Sequence, residues 1–484
     1  MPDPEGKIFL GASPAPQYLD LRYANRHGLV TGATGTGKTV SLQILAEGFA
    51  RAGVPVFCAD AKGDLSGIAM AGEPRDFLRA RAAAVGLADE GFQATPTVFW
   101  DIFAEQGHPV RTTISETGPL LLSRMLDLTE AQEGALNIAF RIADEEGLLL
   151  LDLKDLRALL GHLGEQASAV TTTYGNVTRP TLGAIQRRLL VLANQGAEQF
   201  FGEPALDIRD LMRRDRDGRG FVNLLMAERL MGSPRLYATF LLWLLSELFE
   251  QLPEVGDTDR PKLVFFFDEA HLLFADAPPA LIEKVERVVR LIRSKGVGVY
   301  FVTQSPLDIP DRVLAQLGNR IQHALRAYTP REQKAVRSAA ETFRQNPAFD
   351  TEAAITELGV GEALVSMIGD KGVPSMVART LIRPPRARIG PIRPEERLRL
   401  MEDSPVRGVY DRTIDRESAY ERLATAAREA EHARPAEVAP VAARRGASPM
   451  QAAITSLTRA VASSVGRQIA RSLIRGVLGS LSRR

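Results

Sequence analysis

The feature that most constrains this chain is the segment Gly32-Ala-Thr-Gly-Thr-Gly-Lys-Thr39, which matches the pattern G-x-x-x-x-G-K-[S/T] at every fixed position. A short apolar segment precedes it, and apolar residues at helical spacing follow it. Glycines let successive backbone N–H groups turn inward around phosphate oxygens at the positive end of a helix. The pattern therefore predicts a strand, a phosphate-binding loop and a helix, with the loop and helix start formed by Gly32, Ala33, Thr34, Gly35, Thr36, Gly37, Lys38 and Thr39.

The last two residues of this pattern carry the chemistry. We expect Lys38 to reach the β- and γ-phosphates and Thr39 to supply an oxygen to Mg²⁺. ATP and Mg²⁺ are thus the predicted ligands.

A second candidate pair, Asp268 and Glu269, ends the apolar run Leu263–Phe267. This run does not alternate with polar residues, which is typical of a strand covered on both faces. Acidic residues just past such a strand face the crevice where open α/β sheets bind ligands. We expect Asp268 to hold Mg²⁺ and Glu269 to polarise the attacking water. The next residue but one, His271, is interpreted as a helix-start residue rather than a catalytic one.

Three further places carry candidate residues. Gln304 ends the apolar run Tyr300–Thr303 and is predicted to sense the γ-phosphate or position water. The segment Asp60-Ala-Lys-Gly-Asp64 follows another apolar run and either lines the same crevice or caps a helix with a surface lysine. Arg320 is our candidate for an arginine donated to a neighbouring subunit, although a structural or surface arginine fits its position nearly as well.

Short apolar runs separated by helical patterns predict an α/β fold with a mostly parallel sheet. We divide the chain into seven predicted parts: a lead-in (1–27), a first core part (28–73), a mainly helical insertion (74–261), a second core part (262–394), a charged helical segment (395–432), an Ala/Pro linker (433–449) and a basic amphipathic helix (450–484).

Composition limits the cellular setting. The chain has 60 basic and 59 acidic residues, so any attraction to nucleic acid must come from a local patch. The N-terminus has no basic stretch followed by an apolar one, and the most apolar window, 238–245, is far shorter than the roughly 20 residues of a spanning helix. With one cysteine, Cys58, no disulfide can form within the chain. We expect a soluble, cytoplasmic protein.

The C-terminal segment has a composition of its own. From Val438 to Arg484 there is no acidic residue, and apolar residues recur at spacings of three and four from Ile454 to Leu481. A basic amphipathic helix of this kind contacts DNA phosphates, an anionic membrane surface or another subunit, or simply packs with a solvated face.

Taken in order along the chain, these motifs resemble those of the HerA/FtsK superfamily of ring-forming ATPases. The span from about Ile8 to Pro394 resembles more closely a bacterial HerA-like family of uncharacterised ATPases, through phrases such as Phe99-Trp-Asp-Ile-Phe103 and Ser115-Glu-Thr-Gly-Pro119. The resemblance implies a RecA-like core, a homo-oligomer, in this superfamily a hexamer, and ATP bound between subunits. HerA proper has a β-barrel ahead of its phosphate-binding loop, and the 27 residues before Gly28 are too few for one, so its role in DNA-end processing is not carried over.

Three functions are compatible with these expectations. The first is a helicase-like or translocase-like motor on double-stranded DNA. The second is an ATPase acting on a protein or membrane-associated assembly, and the third is a scaffold that binds ATP but hydrolyses it slowly. The presence of both Asp268 and Glu269 argues against the third.

Overall fold

The computed structural model describes residues 5–87, 91–175, 177–256, 258–274 and 279–432. Within these ranges twelve strands form one sheet, in the order β2-β1-β12-β11-β10-β3-β9-β8-β4-β7-β5-β6. The strands are β1 (Lys7–Ser13), β2 (Ala15–Asp20), β3 (Gly28–Thr31), β4 (Val56–Asp60), β5 (Thr97–Asp101), β6 (His108–Pro109), β7 (Val222–Met226), β8 (Leu263–Phe267), β9 (Val297–Thr303), β10 (Asn319–Gln322), β11 (Glu362–Ser366) and β12 (Ala378–Ile382).

The sheet has a parallel part and an antiparallel edge. The eight strands from β10 to β6 in the sheet order pair parallel to one another. The remaining four, β11, β12, β1 and β2, continue the sheet from β10 in antiparallel pairs. The predicted α/β class with a mostly parallel sheet is confirmed.

The order of the central strands brings distant parts of the chain together. Strands β3, β4, β8, β9 and β10 occur in this order along the chain, with β5 to β7 between β4 and β8, yet in the sheet they lie in the order β10-β3-β9-β8-β4. Crossover helices carry the chain between them, because parallel neighbours cannot be joined by a tight turn. The carboxyl ends of β3, β9, β8 and β4 therefore meet at one edge.

Fourteen α-helices lie in the described ranges. They are α1 (Lys38–Arg51), α2 (Asp76–Ala84), α3 (Ile114–Met125), α4 (Glu130–Glu146), α5 (Leu153–Glu165), α6 (Ala167–Tyr174), α7 (Arg179–Asn194), α8 (Pro234–Gln251), α9 (Pro279–Ile292), α10 (Asp311–Leu314), α11 (Pro330–Glu341), α12 (Thr351–Glu357), α13 (Pro394–Glu402) and α14 (Ala419–His432).

The span 74–261, predicted as mainly helical, holds α2 to α8 and also β5, β6 and β7. These three strands extend the central sheet beyond β4, and Trp100 of β5 donates its indole N–H to the buried amide of Asn223 in β7 (2.9 Å). The sequence interpretation did not include these strands. Its lead-in, 1–27, likewise contains β1 and β2, which complete the antiparallel edge.

Two hydrophobic cores cover the two faces of the sheet. One packs α1 against the sheet and includes Phe49 and Phe266, while the other packs α3 to α5 and α7 to α9 against the opposite face and includes Phe265 and Trp243. Side chains of β8 alternate between the two cores, so this strand is covered on both sides, as its unbroken apolar sequence predicts.

Of the three predicted C-terminal segments, the structure describes the first. The charged segment 395–432 contains α13 and α14, separated by a non-helical stretch with Pro405 and Gly408. The predicted linker, 433–449, and basic helix, 450–484, lie outside the described residues. Within the ranges given above, no helix has the length and apolar character needed to cross a bilayer.

Candidate functional site

The loop between β3 and α1 has the backbone that a phosphate cradle requires. Gly32, Gly35 and Gly37 all have positive φ values, of 154°, 79° and 116°. A Cβ on Gly32 would lie 2.5 Å from the Cβ of His323, so a side chain cannot be accommodated there. The loop tip, Thr34 and Gly35, is exposed. These glycines allow N–H groups to converge at the start of α1, where the helix dipole favours an anion.

Lys38 and Thr39 occupy the first two positions of α1. The Lys38 ammonium folds back over the loop and donates to the carbonyls of Gly32 (2.7 Å) and Ala33 (3.1 Å). Burial lowers the pKa of Lys38, and the charges of Glu269 and Asp268 oppose that shift. The lysine thus lies within electrostatic reach of both predicted acidic residues, and Thr39 stands beside it in the first turn.

His323 packs against the phosphate-binding loop and stabilises it, a role that the sequence did not predict. It follows β10, is fully buried, and its Nε2 lies 2.8 Å from the Ser41 hydroxyl of α1. Its Nδ1 lies 2.9 Å from the Glu362 carbonyl, so Nδ1 is the protonated nitrogen and Nε2 accepts from Ser41. Burial lowers the pKa of His323 to about 4. A neutral histidine therefore ties α1 to the start of β11 beneath Gly32.

Asp268 and Glu269 follow β8, two strands from β3. Asp268 accepts the N–H of Glu269 (2.9 Å), and desolvation together with the Glu269 charge raises its pKa to about 6. A carboxylate desolvated in this way is stabilised by a cation, and Mg²⁺ commonly takes one or two carboxylates plus substrate phosphates. Asp268 therefore fits a magnesium site, and Thr39, in the first turn of α1, stays its predicted partner there.

Glu269 is buried and its backbone is left-handed, with φ 47° and ψ 48°. A glutamate in this conformation is strained, and such strain is concentrated at functional sites. Three side chains surround its carboxylate: the Lys62 ammonium at 2.6 Å, the Gln304 amide at 3.4 Å and His271 Nδ1 at 3.3 Å. Burial raises the pKa of Glu269, but these partners outweigh it and hold the pKa below its usual range.

The segment Asp60-Ala-Lys-Gly-Asp64 combines the two interpretations that its sequence left open. The Asp60 carboxylate caps the following turn by accepting the N–H groups of Lys62 (3.3 Å) and Leu65 (3.0 Å). Burial and the Asp268 charge raise the pKa of Asp60 to about 7. Lys62 itself reaches the crevice and pairs with Glu269. The sequence motif located this segment, but its partner lies 207 residues further along the chain.

Gln304 and Arg320 differ in their positions. Gln304 follows β9, between the strands of the phosphate loop and of Asp268, and it contacts Glu269. Arg320 lies in β10 opposite Leu29, two residues back from the loop edge. Its guanidinium donates to the carbonyls of Leu317 (3.1 Å) and Leu314 (3.2 Å) of its own chain. The structure brings Gln304 to the site but not Arg320, whose action on a neighbouring subunit stays a prediction.

Comparison with known proteins gives one family match. The family model described as "Helicase HerA-like C-terminal" matches residues 7–484. No curated protein matches the chain.

Three solved structures are similar to this chain at low sequence identity. VirB4 of Thermoanaerobacter pseudethanolicus is 14% identical, with a TM-score of 0.50 and coverage of 78% of this chain and 97% of that chain. The bacterial conjugative coupling protein TrwB is 17% identical, with a TM-score of 0.48 and coverage of 79% of this chain and 92% of that chain. A structure of TrwB with an ATP analogue is 16% identical, with a TM-score of 0.46 and coverage of 80% and 98%.

Proposed function

The chain belongs to the helicase HerA-like C-terminal family, as its motifs predict, and on this premise we propose that it is an ATP-hydrolysing ring-type motor that acts on double-stranded DNA. The DNA client is our inference from the word helicase in the family's name, and the cytoplasm is the proposed location. The chemistry comes from the site.

The observation that carries the proposal is the meeting of two elements at one edge of the sheet. The glycine loop and Lys38 follow β3, while Asp268 and Glu269 follow β8, and the charges of these side chains influence one another. A cradle for phosphates faces a pair of carboxylates, which is the arrangement needed to bind a nucleoside triphosphate and attack its terminal phosphate with water.

Each residue then has a defined task. Lys38 leaves the loop carbonyls and binds β- and γ-phosphate oxygens, and Thr39 and Asp268 hold Mg²⁺. When bound, the metal offsets negative charge on the phosphates. Glu269 orients a water and accepts its proton, while Gln304, which already contacts Glu269, senses the γ-phosphate or positions that water.

The exposure of the site supports an oligomer. Thr34 and Gly35 at the loop tip and Gln304 are exposed, so this side of the site is open to a neighbouring molecule. In a hexameric ring, the next subunit would cover this opening and bind the same nucleotide. Arg320 is our proposed contribution across that boundary.

The test is the ATPase rate of the purified protein with Mg²⁺, measured with and without double-stranded DNA over a salt series from about 50 to about 200 mM. A DNA motor is expected to hydrolyse ATP faster with DNA, and the stimulation should fall steeply with salt because phosphate contacts release counterions. If the protein hydrolyses no ATP under any of these conditions, the proposal that it is an ATPase is wrong. If the ATPase rate is the same with and without DNA, the proposal that DNA is the client is wrong, and a protein or membrane-associated client is favoured.

Truncation after residue 448 tests the C-terminal segment in the same assays. We expect nucleotide binding to persist, because the loop and both carboxylates precede this segment. Salt-sensitive loss of DNA or anionic vesicle binding would assign it a phosphate-binding role, and a smaller oligomer would assign it to subunit contact. If the truncated protein binds DNA and vesicles and assembles as the full-length protein does, the segment has neither role.

A further inference from the structure

The backbone of Lys62 lies in a turn that is fixed by several hydrogen bonds. The Asp60 carboxylate binds the N–H groups of Lys62 and Leu65, and the Ser66 hydroxyl donates to the Gly63 carbonyl (2.8 Å). Gly63 has φ 74°, and a Cβ there would lie 2.0 Å from a Glu228 carboxylate oxygen. The backbone therefore presents Lys62 from the end of β4 towards the end of β8.

The side chain of Lys62 spans from solvent to a buried partner. Its Nζ lies 2.6 Å from Glu269 Oε1, and the lysine side chain is 49% exposed while that of Glu269 is 8% exposed. A long aliphatic stem with one end in solvent can change its direction without repacking a core. An ion pair of this exposure also contributes little to folding. The pair is therefore poorly explained as a device for stability.

Lys62 and Lys38 face the same two carboxylates. The charges of Glu269 and Asp268 act on both lysines, and the two ammonium groups act on each other. Two cations flanking one crevice match the triphosphate of ATP, whose negative charge exceeds the combined positive charge of Lys38 and one Mg²⁺. Lys38 is expected to cover the β- and γ-phosphates from the loop side, which leaves Lys62 to approach from the side of β4.

We propose that Lys62 is a second phosphate-binding lysine that exchanges Glu269 for the γ-phosphate when ATP binds. The proposal rests on the ATPase function above. With ADP there is no γ-phosphate, and Lys62 stays on Glu269. With ATP the ammonium turns to the γ-phosphate, and Glu269 is released to bind water. Because of this exchange, the Glu269 carboxylate would be free to bind the attacking water only when a γ-phosphate is present.

The test is equilibrium binding of ADP and of a non-hydrolysable ATP analogue, each with Mg²⁺, to the full-length protein. Lys62→Met keeps the stem and removes the charge. We expect ADP affinity to stay close to that of the unchanged protein and analogue affinity to fall by about tenfold or more, because the charge-assisted contact between Lys62 and the γ-phosphate is lost. Lys62→Arg should retain part of the preference. Lys334→Met, at an exposed position on α11, is the matched control and should change neither affinity.

A double-mutant comparison separates exchange from simple contact. Glu269→Gln should raise analogue affinity, and the gain should be larger when Lys62 is present, because only then is an ion pair broken on binding. If Glu269→Gln raises analogue affinity equally with Lys62 and with Lys62→Met, the proposed exchange is wrong. An unchanged ratio of analogue to ADP affinity in Lys62→Met, or tighter analogue binding, would overturn the γ-phosphate contact. If the unchanged protein binds no nucleotide, the ATPase proposal itself fails.

Discussion

The substitution Glu269→Gln separates ATP binding from hydrolysis, and its effect follows from the contacts around this side chain. Glutamine has nearly the same shape and keeps one carbonyl oxygen for the Lys62 ammonium, now 2.6 Å from Oε1. Its NH₂ group replaces the oxygen near Gln304, whose own amide can turn to accept it. The amide has no tendency to accept a proton from water. The substitution therefore leaves the packing intact and removes one chemical function.

The two energetic consequences differ greatly in size. Loss of the charge on Glu269 weakens an ion pair with a half-exposed lysine, which changes the free energy of unfolding by about 1 kcal/mol or less. Loss of a general base lowers the rate of the chemical step by about 10² to 10⁴. We therefore expect kcat to fall by at least about a hundredfold, while ATP binds as well as before or better, since one negative charge is removed from beside the phosphates.

The measurements are steady-state phosphate release, retention of labelled ATP by the protein, and urea unfolding. Glu341→Gln, at an exposed position on α11, is the control and should behave as the unchanged protein in all three. Hydrolysis at the normal rate would refute the role of Glu269 as base. A loss of ATP binding, or of more than about 3 kcal/mol of stability, would instead make Glu269 a structural residue.

The other predictions concern three further side chains. Lys38→Ala is expected to abolish turnover and weaken ATP binding without unfolding the protein, and near-normal ATPase activity would refute its phosphate role. His323 has a folded pKa of about 4, so stability present above pH 6.5 is lost as pH falls towards 4. Relative to the unchanged protein, His323→Gln should lose about 2 kcal/mol less between pH 7.5 and 5 in urea unfolding, and an equal loss in both proteins would refute this role of His323. Mixed rings of Arg320→Ala and Lys38→Ala subunits should regain some activity if Arg320 acts on its neighbour, and mixed rings without any regain would refute that role.

Local signals were enough to predict the parts of the site that each strand carries at its own end. The glycine loop, Asp268, Glu269 and Gln304 each follow an apolar run directly, and the runs became β3, β8 and β9. Such a prediction needs only the rule that ligands bind beyond the carboxyl ends of parallel strands. It does not need the order of the strands.

Contacts between strand ends could not be predicted, because they depend on that order. Lys62 meets Glu269 since β4 lies beside β8, and His323 supports Gly32 since β10 lies beside β3. The strands β5 to β7 were missed for a related reason. They contain two to five residues each, and long amphipathic helices lie between β6 and β7, so helical periodicity dominates the sequence of this span.

The conformation of Glu269 marks the limit of prediction from local preference. A left-handed residue after a strand is expected to be glycine or asparagine, and a glutamate there costs on the order of 1 kcal/mol or more. The surroundings hold the strained residue through Lys62, Gln304 and His271, three contacts from three separate segments. Relaxing the backbone would turn the carboxylate away from the crevice that the phosphate loop faces. We therefore interpret the strain as the cost of aiming the proposed base at the substrate, and local propensity fails at the residue on which the proposed chemistry depends.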